Sequence, residues 1–405
     1  MRCAFGRRAA PILAGLAVLV GAWGDAAAGQ AHEGFAPGQD APPAYGLTAF
    51  YEPPKDLRRF RPGDVIRTEA VPAPAGAQAW RVMYMSTTWD GRRTPVTGLV
   101  IAPLGHASAP RPVLAWGHGT TGAARGCAPS LAQDPAQEFL ARGGVNPVDV
   151  GVPYLQDLLA RGYVVVATDY QGLGGPGHHQ FLVGDTAARG LLDSVRAARK
   201  LDVQAGSRVS LMGWSQGGQT VLFAGEIAKA YAPELKLDGV VALAPVTSLM
   251  SPLIDQFFRS NTPHVYLIAE GFSSAYRLPM DAFTPRGRAL VDAASKSCIL
   301  EVFKEAGTSP VAGVTGNITA SKGWKDALAR NDAGLRPAAA PVLIVHGSAD
   351  TIVAPAGTPL YVQRASALGD QVSVEWLAGG DHRSIIPDGK VRILEWLDER
   401  RSEDR

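Results

Sequence analysis

Cysteine is scarce in this 405-residue chain: only Cys3, Cys127 and Cys298 occur. There is no C-x-x-C pair and no H-E-x-x-H, and the neighbours His178 and His179 do not share a helix face, so the spacing that a zinc site needs is missing. No G-x-G-x-x-G stands between a strand and a helix, which removes the dinucleotide-binding fingerprint; neither a metal nor a cofactor is expected. An excess of one charge is lacking too. With 39 Lys and Arg against 37 Asp and Glu, the chain has no basic surplus to hold nucleic acid. After residue 23 no uninterrupted apolar run approaches membrane-spanning length.

The one long apolar run, Ala9 to Trp23, follows Arg2, Arg7 and Arg8 and precedes Ala26-Ala27-Ala28. That layout predicts a secretory signal over residues 1–28, too short and too rich in Ala and Gly to stay as an anchor. Its removal takes three arginines and one aspartate, leaving 36 basic and 36 acidic residues. Cys3 leaves with it. In an oxidising compartment the remaining Cys127 and Cys298 are candidates for one disulfide, with two unrelated buried thiols as the alternative, because sequence cannot show that the side chains meet.

Residues 29–62, with Pro42-Pro43 and Pro53-Pro54 and little periodicity, read as an extended arm. Ala79 to Thr88 and Pro95 to Ala102, split by Trp89-Asp90-Gly91-Arg92, predict an antiparallel hairpin. From there short apolar runs, mostly rich in valine, take over at residues 112–116, 163–168, 209–212, 240–243, 341–345 and 372–376. Most alternate with helical segments, at 153–161, 186–201, 217–232, 359–368 and 390–399. This is α/β grammar, with a mostly parallel sheet flanked by helices. Between Pro245 and Pro337 the alternation breaks over a length too great for a simple loop, so a mainly helical cap is expected between the sixth and seventh strands. The domains are then a core over 63–246 and 338–405 and a cap over 247–337. Apolar cap segments such as Phe257-Phe258, Val265 to Ile268 and Phe272 are expected to form mostly the cap's own core, with some facing the site.

Gly213-Trp214-Ser215-Gln216-Gly217-Gly218 lies between the run Val209 to Met212 and a helix. It has the strand, tight turn and helix of the G-x-S-x-G nucleophile elbow, in which small residues around the serine permit a strained turn that lifts its hydroxyl clear of the sheet. A serine hydroxyl is too weakly acidic to attack unaided and needs an imidazole base oriented by a carboxylate. Of eight histidines, His382 follows the last strand, where the order Ser, Asp, His of the α/β-hydrolase plan requires it. Asp350, past the strand ending at Val345, is the expected acid. Asp381, beside His382, suits turn formation, and Asp169 is a weaker rival. His32 and His106 read as surface residues, His178, His179 and His264 as structural, and His346 as a pocket-lining strand end. Oxyanion donors are expected at Gln216 and in the loop Gly117 to Thr121, with Gly119 and Thr120 favoured. His118, Tyr170 and Trp214 are candidate pocket residues.

Several stretches also resemble the secretory lipase family typified by Candida antarctica lipase A. They are Cys127-Ala128-Pro129-Ser130, Gly162 to Val165 leading to Asp169, Gly184 followed by Leu192 to Ala197, and Tyr231 to Leu235. The glycine-rich Tyr170 to His179 is similar to the bacterial branch of that family. The resemblance implies an α/β-hydrolase fold, Ser215 as nucleophile, Asp350 as acid, His382 as base, the cap, and a bridge from Cys127 to Cys298. The chain departs from the yeast member in carrying Gly117-His118-Gly119-Thr120-Thr121, where that enzyme has an acidic residue, and in having no cysteine after Cys298. The reading that follows is an exported serine carboxylic ester hydrolase, a lipase or esterase, which meets an ester or lipid substrate through transient contact of the cap with a lipid interface and has no stable membrane insertion. A peptidase or acyltransferase on the same fold is the alternative, since a triad alone does not select water, alcohol or amine. An exported binding protein that has kept the shell is the non-catalytic one.

Overall fold

The structure, a computed structural model, describes residues 46–139, 150–307 and 312–402. The signal read at 1–28 and the arm's residues 29–45 lie outside the described residues. Nine strands form one sheet: β1 Val65–Val71, β2 Ala77–Thr87, β3 Arg93–Pro103, β4 Arg111–Gly117, β5 Val164–Thr168, β6 Ala205–Trp214, β7 Lys236–Leu243, β8 Val342–Gly347 and β9 Val372–Leu377. Their spatial order is β1-β2-β3-β5-β4-β6-β7-β8-β9. The pairs β1 with β2, β2 with β3 and β3 with β5 are antiparallel, and the rest of the sheet is parallel. Strand β1 is an addition to the sequence reading, so the helical insertion follows the seventh strand. β1 is an edge strand with a bulge between Val65 and Arg67, and every one of its residues is at least partly exposed. It therefore lacks the apolar signature of the inner strands.

The inner strands are apolar throughout because helices cover both faces of the sheet. Successive side chains point to opposite sides, so Val113 and Ala115 of β4 enter one core cluster while Leu114 and Trp116 enter another. In β7 the same split sends Val240 and Ala242 one way and Val241 and Leu243 the other. The first cluster is covered by α2 (Gly184–Ala198), α3 (Gln216–Tyr231) and α9 (Gly357–Ala367). The second is covered by α1 (Leu155–Ala160), α10 (Ile385–Asp388) and α11 (Lys390–Ser402). Each fully buried valine or leucine contributes about 1.5–3 kcal/mol, and this two-sided burial holds the strand ends in fixed register.

Among the described residues, five α-helices stand between β7 and β8: α4 Ile254–Arg259, α5 Pro263–Tyr276, α6 Pro285–Ala294, α7 Ile299–Gly307 and α8 Lys322–Arg330. Proline at the first position starts α5 and α6, and Thr284 caps α6 by accepting from the Gly287 N–H at 3.0 Å. The insertion has its own core. The indole of Trp324 sits 5.9 Å from the rings of Phe258 and Phe283, and its N–H donates to the Pro279 carbonyl at 2.7 Å. Phe258, Val265 to Ile268 and Phe272 all bury their side chains there.

The insertion is tied to the sheet at the loop after β4. The N–H of Ile299 donates to Thr121 O at 2.9 Å, that of Ala123 donates to Ser297 O at 3.2 Å, and Gly122 pairs with Cys298. A disulfide joins Cys127 to Cys298, whose Cα atoms are 5.4 Å apart. Of the arm, residues 46–62 are described. Phe50 and Tyr51 are buried against this region, and Tyr51 shares a 2.8 Å hydrogen bond with Ser130.

Candidate active site

β6 ends at Trp214, and α3 begins at Gln216, leaving Ser215 alone in the turn with φ 59° and ψ −115°. A non-glycine residue with positive φ costs of order 1–3 kcal/mol and persists only where its surroundings enforce it. Here the enforcement is tight packing. A Cβ at Gly217 would run into the carbonyl oxygen of Gly117, and one at Gly213 into that of Gly217, so only glycine lets α3 start this close to β4. The Ser215 N–H is held by Leu243 O at 2.8 Å. The side chain is left at the C-terminal edge of the sheet, where α/β folds collect their functional loops.

Asp350 stands in the loop after β8, and His382 in the loop after β9. Asp350 Oδ2 lies 2.7 Å from His382 Nδ1, while Oδ1 accepts the N–H groups of Ile352 at 2.8 Å and Val353 at 2.9 Å. Burial alone would raise this carboxyl, but hydrogen bonds from His346 and His382, the charge interaction with His382 and the Val353 N–H outweigh it and hold the carboxyl far below the usual carboxylate range. Asp350 is therefore ionised at neutral pH and orients the imidazole as an acceptor at Nδ1. Ser215 and His382 are both buried, at 7% and 8% exposure. Among the described residues no hydrogen bond joins Ser215 Oγ to the imidazole. What links the two loops is Trp214: its Nε1–H donates to His382 O at 2.8 Å, and the two rings are 5.0 Å apart.

The loop after β4 lies beside the elbow. Tyr170, at the end of β5, donates its hydroxyl to His118 O at 2.8 Å. Burial lowers His118 to about 4, so its ring is neutral and Nδ1–H donates to Gly119 O at 2.6 Å. The face of Trp214 covers Gly119 closely enough that no side chain fits there. These contacts leave the N–H groups of Gly119 and Thr120 without an acceptor among the described residues. The Gln216 N–H, at the first position of α3, has no intrahelical acceptor either. Gln216 is itself pinned, because its side-chain amide donates to His179 Nε2 at 2.9 Å while His179 Nδ1–H donates to Gln171 O at 2.7 Å. His118, Tyr170 and Trp214 are buried to within 3% exposure, and each holds a main-chain carbonyl of the surrounding loops.

The rival acids go elsewhere. Asp381 Oδ1 accepts the N–H groups of Arg383 and Ser384 at 2.8 and 2.7 Å, which closes the turn that contains His382. Asp169 is buried under hydrogen bonds from Ser130 and Thr97. His346, read as pocket-lining, is fully buried beside Asp350 instead. No group of three or more His, Cys, Asp or Glu side chains able to hold a metal exists among the described residues. Nor is any described helix long and apolar enough to cross a membrane.

The secretory lipase family profile matches residues 146–405. The chain belongs to the secretory lipase family. It is 27% identical over 211 residues to Lipase 7 of Candida albicans, covering 47% of this chain and 45% of that one. It is 28% identical over 232 residues to Lipase A of Arthroderma benhamiae, covering 53% and 47%. The chain thus spans about half the length of the curated relatives it matches. In three dimensions it is similar to Candida antarctica lipase A in its closed state, with TM-score 0.70, 20% identity, and coverage of 89% of this chain and 88% of that one. It is similar also to the rice cell wall degrading esterase LipA of Xanthomonas oryzae, with TM-score 0.68, 21% identity, and coverage of 85% and 100%. These likenesses establish the α/β-hydrolase fold for this member of the secretory lipase family.

Proposed function

We propose that the chain is an exported carboxylic ester hydrolase, a lipase or esterase, in which Ser215, His382 and Asp350 act as nucleophile, base and acid. The observation that carries this reading is the strained turn at Ser215, whose neighbour Trp214 holds the His382 loop, together with a His382 Nδ1 that is 2.7 Å from a buried, ionised carboxylate. Ser215 Oγ attacks the ester carbonyl carbon as its proton passes to His382 Nε2. Asp350 holds the imidazolium. The negative oxygen of the tetrahedral intermediate takes hydrogen bonds from the free N–H of Gln216 and from Gly119 or Thr120. Collapse breaks the ester C–O bond, the alcohol leaves with the proton from His382, and water repeats the sequence to free the acid and restore Ser215.

The insertion at 247–337 acts as the cap in this reading, and its pairing through residues 297–299 with the loop of Gly119 and Thr120 supports that role. His118, Tyr170 and Trp214 form the floor against which the acyl or alcohol part rests. The family's secretory character supports the export signal read at residues 1–28. The lipase and triacylglycerol lipase names of the fungal relatives support a lipid ester as substrate.

The test is hydrolysis of p-nitrophenyl esters from acetate to palmitate, below and above their solubility limit, alongside matched amides. Esters are expected to turn over and amides not. Ser215→Ala should lower kcat by a factor of about 10⁴ or more. Near-normal ester turnover in that variant would overturn the assignment.

A further inference from the structure

His346 is the penultimate residue of β8, four residues before Asp350, and none of its surface is exposed. Its Nε2 faces two acceptors, Val353 O at 3.0 Å and Asp350 Oδ2 at 3.4 Å. An atom placed between a carbonyl and a carboxylate must carry the proton. Its Nδ1 lies 2.8 Å from Thr358 Oγ1, a hydroxyl that can donate to it. The ring is stacked on Trp376 with centroids 5.8 Å apart, so it cannot swing away without losing that contact.

We propose that His346 is a positioning residue for the acid of the triad: its Nε2–H shares Asp350 Oδ2 with His382 and fixes the carboxylate in the rotamer that meets the base. The inference rests on the Ser215, His382 and Asp350 reading given above. The carboxylate then has four donors. Ile352 and Val353 serve Oδ1, and the two imidazoles serve Oδ2. Oδ1 is anchored by main chain. Oδ2 would otherwise have His382 alone, a side chain that must change its charge and shift during each turnover. His346, buried and stacked on Trp376, keeps that oxygen in place when His382 moves, and it draws off part of the negative charge that would bind the imidazolium too tightly.

The test compares His346→Leu, which removes the donor, with His346→Gln, whose amide N–H can reach the same oxygen. The amount of active enzyme is first set by titration with an organophosphonate. Per titrated site, His346→Leu is expected to lower kcat about fivefold with KM unchanged, the effect of losing one hydrogen bond. The acid limb of its kcat profile should move to higher pH, because His382 then has the whole of Oδ2, and His346→Gln should restore both properties most of the way. A purely structural role would reduce the number of titratable sites and leave kcat per site and the limb unmoved; that result overturns the proposal. Should His346→Leu not fold, nitrogen-15 spectra of the wild-type imidazoles decide: a protonated Nε2 and bare Nδ1 at residue 346 are expected, and a bare Nε2 overturns it. Failure of the triad reading shows separately, as wild-type enzyme that hydrolyses esters but is not titrated by the phosphonate.

Discussion

At the scale of single residues, the site is held by polar side-chain atoms that grip the main chain of neighbouring loops. Trp214 is the clearest case, since its indole N–H goes to His382 O, its ring lies against the His382 imidazole, and Arg383 stacks on it with its guanidinium 5.3 Å from the ring centre. From sequence, Trp214 is a candidate pocket residue. The hydrogen bond 168 residues along the chain left no local trace. Trp214→Phe keeps the aromatic contact and deletes that bond. We expect kcat to fall about fivefold and unfolding stability by about 1 kcal/mol, with KM little changed, as measured by steady-state rates and urea titration. Wild-type kcat in this variant would mean that the His382 loop is held by other contacts.

At the scale of elements, the loops at the strand ends are positioned by what the insertion brings to them. Helix α5 packs on the loop after β5, where His178 Nδ1 meets Glu270 Oε1 at 2.7 Å. Burial pushes the Glu270 carboxyl up to about 6, against the hydrogen bond and charge of His178 that pull it down. A carboxyl raised above its unfolded value costs nothing while protonated and destabilises the fold once ionised. The penalty therefore sets in as pH rises from about 4, the unfolded value, and is complete above about 6. Glu270→Gln removes the charge, so its stability relative to wild type should improve by about 1–2 kcal/mol between pH ~5 and pH ~8 in urea titrations at both. A difference that stays constant or shrinks would contradict the burial argument.

The elements themselves were largely legible. Strands such as Val164–Thr168 and Val342–Gly347 announce themselves because burial on both faces demands unbroken apolar runs. Ser215 and Asp350 could be picked out as candidates because each follows such a run, whereas His382 follows the partly exposed edge strand Val372–Leu377. Strand β1 was not legible, since Arg67, Thr68 and Glu69 at a sheet edge have no apolar face to show. His346 was misread for a different reason. Its partners at residues 350, 353 and 358 are near in sequence, but only the fold turns the ring inward toward Asp350 rather than toward a pocket.

At the scale of the whole molecule, the strand ends of the sheet carry Ser215, Asp350 and His382, while the insertion is fastened to the loop that holds Gly119 and Thr120, the donors proposed for the oxyanion. The Cys127 to Cys298 bridge spans 171 residues, and chain-entropy arithmetic assigns such a closure about 5 kcal/mol. Cys298 itself pairs with Gly122, and Cys127 stands three residues past Ala124, which pairs with Ser297, so the same closure that stabilises the fold also sets the loop beside Ser215. In the function proposed above, this assembly activates one hydroxyl, that of Ser215. The most direct measurement of this is the intact mass and peptide map of the protein after reaction with an organophosphonate ester, taken together with residual ester hydrolysis. One adduct on Ser215, rising in step with loss of activity and absent from Ser215→Ala and His382→Ala, is the expected result. An enzyme that stays active while labelled at Ser215, or that loses activity through a label elsewhere, would contradict it.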